Sequence, residues 1–200
     1  QADGTAWMAF YCATMLSIAI ELARYDPAYE DVASKFFEHF VAITHAMNTL
    51  GGTGLWDEQD GFYYDQIHQG DQIERLRLRS LVGVLPLCAV EVLPMDTLKK
   101  LPGFQKRMKW FLHNERQLAS HVSFGMVAGQ ETALLALPSR ERLLRVLRYL
   151  LDEKEFLSPY GIRSLSAVHR DRPFVFETEG QEYRVDYTPG ESTTSMFGGN

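Results

Sequence analysis

Four carboxylates fall within one short stretch: Asp57, Glu58, Asp60 and Asp65. Paired carboxylates perform general acid and base chemistry when their surroundings hold their pKa values apart. Trp56, Tyr63 and Tyr64 flank this group. Their flat faces suit sugar rings and would wall the carboxylates off from water. The same stretch also reads as an Asp60-Gly61 turn closed over an aromatic plug. Asp57-x-x-Asp60-Gly61 does not have the ligand spacing of a helix-loop-helix calcium site.

Other candidates are scattered along the chain. Asp3 precedes an apolar helical run, where it would cap the free N–H groups or stand at the mouth of a cavity. Trp7, one turn further on, reads as core or cavity wall. Arg75, Arg77 and Arg79 alternate with Leu76 and Leu78, so they share one face of a strand, solvated or ion-paired. The six histidines form no pair at metal-ligand spacing, and none is given a role. Ser192, Thr193, Thr194 and Ser195 do not form a nucleophile elbow. Gly51-Gly52-Thr53-Gly54 has neither the lysine nor the following helix of a phosphate loop.

These groups need elements to hold them. Thr5 to Ala23 is apolar nearly all round, which predicts a helix buried on every side. Pro27 can open the next helix, in which Val32, Phe36, Phe40, Ile43 and Met47 recur at helical steps until Gly51-Gly52. Phe62 to Ile67 and Ile73 to Arg79 read as a hairpin. Ser80 would cap a helix through Leu93, kinked at Pro86. Phe104, Met108, Phe111, Glu115 and Leu118 space another helix. Leu143, Leu144, Leu147, Leu150 and Leu151 space one more, after Pro138-Ser139. Pro159 to Val168 is a loop. Phe174 to Thr178 and Tyr183 to Tyr187 make a second hairpin across Glu179-Gly180. The first two helices would pack antiparallel, as the inner and outer members of a pair. The expected class is mainly α, a single domain over residues 1–200 with short β-hairpins between the helices.

Composition narrows the function. Twenty basic residues stand against 26 acidic ones, giving a net charge of −6, so no nucleic-acid partner is expected. The uncharged run from Gly4 to Ile20 carries Thr5, Thr14 and Ser17 and lacks a basic flank, so no membrane span is expected either. Asp3 stands where a signal peptide would be basic. Cys12 and Cys88 lie in apolar stretches without metal spacing and read as reduced core thiols, which favours a cytoplasmic site. No cofactor is expected. Gln1 and Gly198-Gly199-Asn200 do not read as natural termini, so the chain is expected to be a fragment.

Several segments resemble one family over nearly the whole chain. They are Gln1-Ala2-Asp3-Gly4-Thr5-Ala6-Trp7-Met8, Leu55 to Asp65, Arg79-Ser80-Leu81-Val82-Gly83, Glu155 to Ser166, Pro189-Gly190-Glu191-Ser192 and Met196 to Asn200. In that order they resemble the bacterial branch of glycoside hydrolase family sixty-three, the processing α-glucosidases and their prokaryotic relatives. The resemblance implies part of an (α/α)6 toroid with a sugar pocket at one mouth. It also implies hydrolysis of α-glycosidic bonds in oligosaccharides with inversion, by an acid Asp and a base Glu. In the family pattern the Asp lies upstream of Gln1 and the Glu downstream of Asn200, so both would be missing here. Asp3, Trp56, Asp57, Tyr63, Arg163 and Glu191 would then line or brace the pocket at a shared mouth. Two alternatives remain: an epimerase-like enzyme on the same scaffold, and a non-catalytic helical protein that binds carbohydrate or a partner.

Overall fold

Runs of alanine and large apolar residues make the first quarter of the chain helical, and short β-branched and aromatic runs make strands among the shorter helices of the rest. The computed structural model describes residues 1–70, 72–178 and 180–189. In chain order the elements are α1 (Ala2–Ala23), α2 (Tyr29–Thr49), β1 (Trp56–Asp57), β2 (Phe62–Tyr63), β3 (Asp65–Gln69), β4 (Gln72–Leu76), β5 (Val90–Pro94), α3 (Met95–Leu98), α4 (Pro102–Asn114), α5 (Arg116–Ala119), β6 (Val122–Val127), β7 (Gln130–Ala136), α6 (Arg140–Leu150), β8 (Leu157–Ser158), β9 (Gly161–Ile162), β10 (Phe174–Thr178) and β11 (Gln181–Val185). Short 3-10 turns occupy Leu81–Gly83, Leu85–Cys88 and Ala167–Arg170.

The expectation of a mainly α toroid is overturned. The protein is mixed, 46% helix and 25% strand, with several small antiparallel sheets. One cause lies at residues 80–93. The expected helix is instead two 3-10 turns and strand β5. Pro86 offers no N–H to a helix, and Val90-Glu91-Val92-Leu93 has the alternation and branching of a strand. A Cβ on Gly83 would lie 2.2 Å from a Phe62 ring carbon, so this turn closes directly onto the aromatic cluster. The other cause is the β6–β7 hairpin, which pairs with β5 in the order β5-β7-β6.

The chain divides into two compact units and crosses between them more than once. One unit holds Gln1–Ala2, Leu55–Val84 and Arg140–Asn200; the other holds Asp3–Gly54 and Leu85–Ser139.

In the second unit, α2 packs on α4. Phe37 meets Phe104 and Phe111 edge to face at 6.0 and 5.5 Å. The buried stripe of α2 is Ala33, Phe37, Phe40, Val41, Thr44 and Met47, about one residue round from the expected one, and Val32 faces solvent. Gly103 lets the start of α4 approach Glu30, whose carboxylate accepts from the Phe104 amide at 2.8 Å. Asn48 donates to the carbonyl of Leu137 at 2.8 Å, tying α2 to the end of β7. The face of α1 that carries Ala6, Ala9, Ala13 and Leu16 is buried, while Trp7, Met8, Tyr11 and Ile18 are exposed. The expectation that this helix is buried on every side is therefore corrected.

In the first unit, β1 pairs with β2, β3 with β4, β8 with β9 and β10 with β11. The first expected hairpin is split at Tyr64, whose amide turns back to the Leu55 carbonyl. Helix α6 was expected to bury its leucines. Instead Leu144 and Leu151 are exposed, and the opposite face, bearing Arg142, Arg145 and Tyr149, packs on the Trp56 segment.

Candidate functional site

The first unit contains a cleft of about 480 Å³. Its polar lining is Asp60, Tyr64, Glu74, Arg75, Arg77, Arg79, His169 and Arg172, and its apolar lining includes Pro173, Phe174, Val175 and Phe176. Strand β4 and the chain after it supply Arg75, Arg77 and Arg79, the turn at Ala167–Arg170 and the residues after it supply His169 and Arg172, and β10 supplies the two phenylalanines.

Asp57 anchors one wall from behind. Its side chain is almost fully enclosed, and its Oδ2 accepts from Arg77 at 3.0 Å and from Arg75 at 3.2 Å. Burial pushes the Asp57 carboxyl up. The Asp60 amide, at 2.9 Å, and the two guanidiniums outweigh that and hold it below its ordinary value. Asp57 therefore stays ionised and fixes Arg75 and Arg77 at the cleft.

Arg79 anchors the floor. Its Nη1 lies 2.5 Å from Glu155 and its Nη2 3.9 Å from Asp60, and its guanidinium sits over the Tyr149 ring at 4.3 Å. Glu155 also accepts from the Ser166 hydroxyl, and Tyr64 donates to Asp60 at 2.9 Å. The backbone of Arg79 is held as well. Its carbonyl accepts from the Ser166 amide at 2.9 Å, and its amide donates to His169 Nε2 at 3.0 Å.

His169 is buried, and burial pushes its pKa down. Because Nε2 accepts, Nδ1 carries the proton and donates it to the Arg172 carbonyl at 3.0 Å. Protonating Nε2 would cost the Arg79 amide its acceptor. A histidine with a lowered native pKa adds stability above its unfolded value, about 6.5, and loses it as pH falls through the native value. The urea midpoint is thus expected to fall between pH 7 and pH 5, and the fall should flatten in His169→Gln. An equal fall in that variant would remove His169 from the account.

The expected site residues fall in different places. Trp56 is fully buried: its Nε1 donates to Glu58 at 2.6 Å, Tyr63 meets it edge to face at 4.9 Å, and Arg142 and Arg145 cover its ring at 4.8 and 5.3 Å. Tyr63 is also buried, and desolvation pushes its pKa to about 12. Arg163 donates to the carbonyls of Glu153, Glu155 and Leu157, with its Nε on the Tyr187 hydroxyl at 3.2 Å. It braces the loop that presents Glu155. Trp56, Asp57, Tyr63 and Arg163 thus share one unit, but none of them lines the cleft. Asp3 belongs to the other unit, in the first turn of α1 rather than before it, and its carboxylate accepts from the Gly4 amide at 2.7 Å. Glu191 lies outside the described residues. Asp65 accepts from the Ala2 amide.

Sequence reasoning missed Glu155, His169 and Arg172. Arg79 and Glu155 both lie in segments that carried the family resemblance. A charge in each, beside apolar neighbours, needs a partner if it is buried, and that was the available signal. Among the described residues, no group of acidic, histidine and cysteine side chains could hold a metal ion.

No family model matches the chain, and no solved structure matches it. The chain is similar to a Saccharomyces cerevisiae protein named "Uncharacterized protein YMR196W", with 48% identity over 218 residues. The match takes in all of this chain and 20% of the yeast protein, so the chain spans about a fifth of the length of that relative.

Proposed function

We propose that the chain is the sugar-binding part of a glycoside hydrolase that cleaves α-glycosidic bonds in oligosaccharides, with the catalytic acid and base supplied by polypeptide beyond these 200 residues. The observation that carries this reading is a charge-balanced, aromatic-edged cleft. Its four arginines, Arg75, Arg77, Arg79 and Arg172, stand against four carboxylates in or just behind its wall: Asp57, Asp60, Glu74 and Glu155. A wall without net charge gives an anion little advantage. It does offer fixed donors and acceptors to a neutral polyol, whose hydroxyls need both. Phe174, half-buried at the cleft, adds an apolar face of the kind on which sugar rings stack, with Phe176 buried behind it. The volume lies within the ordinary range for small-molecule sites, about 300–1,000 Å³. The family resemblance of the motifs supports the same reading.

An inverting glycosidase needs a free acid and a free base on opposite faces of the sugar. Asp60 is engaged by Tyr64 and Arg79, and Glu155 by Arg79 and Ser166. The chain alone is therefore expected to bind maltose in the millimolar range, about −4 kcal/mol, without releasing glucose. Calorimetry should show this binding weakened in Arg172→Ala and in Arg77→Ala. Binding of inorganic phosphate in preference to maltose would sink the neutral-sugar reading. Glucose release abolished by Asp60→Asn would place the catalytic group inside the chain.

A further inference from the structure

Helix α1 is built inside out for a solvent-facing helix. Its buried face opens with small residues, Ala6, Ala9, Cys12 and Ala13, and continues with Leu16 and Ile20, while Trp7, Met8, Tyr11 and Ile18 face outward. Trp7, Tyr11, Ile18 and Leu22 are 56%, 52%, 46% and 39% exposed. With Thr14 they recur at steps of four, three, four and four, which is a single stripe along the helix. Isolated exposed apolar residues are ordinary, but a contiguous stripe of this size marks a surface that another element covers. Steps of three and four are the spacing that receives the ridges of a second helix.

Three kinds of cover could fit, and the observations favour one. A membrane-surface helix would carry a Lys- and Arg-rich face opposite the apolar one. The opposite face of α1 is instead apolar and packed against protein, and the helix carries no basic residue in its last turn. A second copy is not ruled in by any feature of the stripe. The comparison with the yeast protein points elsewhere. The whole of this chain, α1 included, matches one fifth of a much longer polypeptide. In that protein the matching stretch is accompanied by about four times as much further chain.

We propose that the Trp7–Leu22 stripe of α1 is the seat of an apolar helix belonging to the polypeptide that flanks this stretch in such longer relatives. The seat has its own large side chains, so the incoming helix fits best with small residues at the contact, which would let it approach between Trp7, Tyr11 and Ile18.

Thiol reactivity tests this. In a Cys88→Ser background, which removes the exposed native thiol, Ile18→Cys in the 200-residue chain should react with a maleimide at close to the rate of a free thiol. A cysteine at the aligned position of the full-length yeast protein should react about a hundredfold more slowly, through local opening. Equal, fast reaction in both would overturn the proposal. So would slow reaction in the 200-residue chain that speeds up on dilution, since a second copy would then be the cover. Flotation of the 200-residue chain with phosphatidylcholine vesicles, lost in Tyr11→Glu, would overturn it in favour of a lipid surface. Tyr11→Cys serves as the second reporter should Ile18→Cys fail to fold, and the same outcomes decide it.

Discussion

Arg79→Met is expected to destabilise the protein by about 3–5 kcal/mol, the usual cost of breaking a buried ion pair by removing one partner. The side chains of Arg79 and Glu155 are 17% and 13% exposed, so the remaining carboxylate could not recover its hydration. The change would also uncover the Tyr149 ring and leave Asp60 with one counter-charge fewer. Arg79 Nε is already buried without a hydrogen-bond partner, so the guanidinium is held by its two terminal nitrogens and the aromatic face. Urea unfolding measures the loss. The double variant Arg79→Met/Glu155→Met should regain more than half of it, because no lone charge then remains. A single-variant loss below about 1 kcal/mol would put the pair in the class of exposed bridges and refute its structural role.

Trp56→Ala should cost as much, about 3–5 kcal/mol. Trp56 is fully buried, and its removal would leave a cavity between Tyr63 and the guanidiniums of Arg142 and Arg145. Glu58 would lose the indole N–H that, with Arg145, holds its carboxyl below its ordinary value. The loss would reach the cleft indirectly, since Asp57 is the next residue and carries Arg75 and Arg77. Trp56→Phe separates packing from recognition. It should cost less stability and leave maltose affinity unchanged. A selective loss of affinity in Trp56→Phe at unchanged stability would mean that the indole touches the sugar after all.

The aperiodic, aromatic stretch from Leu55 to Asp65 is legible because nothing in it repeats at 3.6 residues. Its acidic residues were legible as a group, yet their duties were not. Asp57 is satisfied by arginines 18 and 20 residues away, and Arg79 by a glutamate 76 residues away. Only the folded chain shows those pairings. The β6–β7 hairpin was hidden for a local reason. Its turn is Ala128-Gly129, both at positive φ, 49° and 81°. Such turns normally advertise themselves with Asn-Gly or Asp-Gly, and an alanine there gives no signal. Helix α6 misled in another way. Its leucine spacing is clear, but its arginine face makes the contacts, because the Trp56 ring and Glu58 offer a better partner for guanidinium than for a methyl group.

The order in which the chain visits its two units has a consequence during synthesis. A nascent chain leaves the ribosome from its N-terminus at about 5–20 residues per second. The segment ending at Gly54 would emerge first, yet its partner helix α4, in Leu85–Ser139, follows only after the whole of Leu55–Val84. That second stretch must in turn wait for Arg140 and beyond before Arg79 can find Glu155. Each half-built unit would therefore spend seconds with Phe37, Phe40 or Trp56 uncovered. Folding that keeps pace with translation is closed to both units, and a holdase acting on the emerging polypeptide should raise the soluble yield more than slower induction alone.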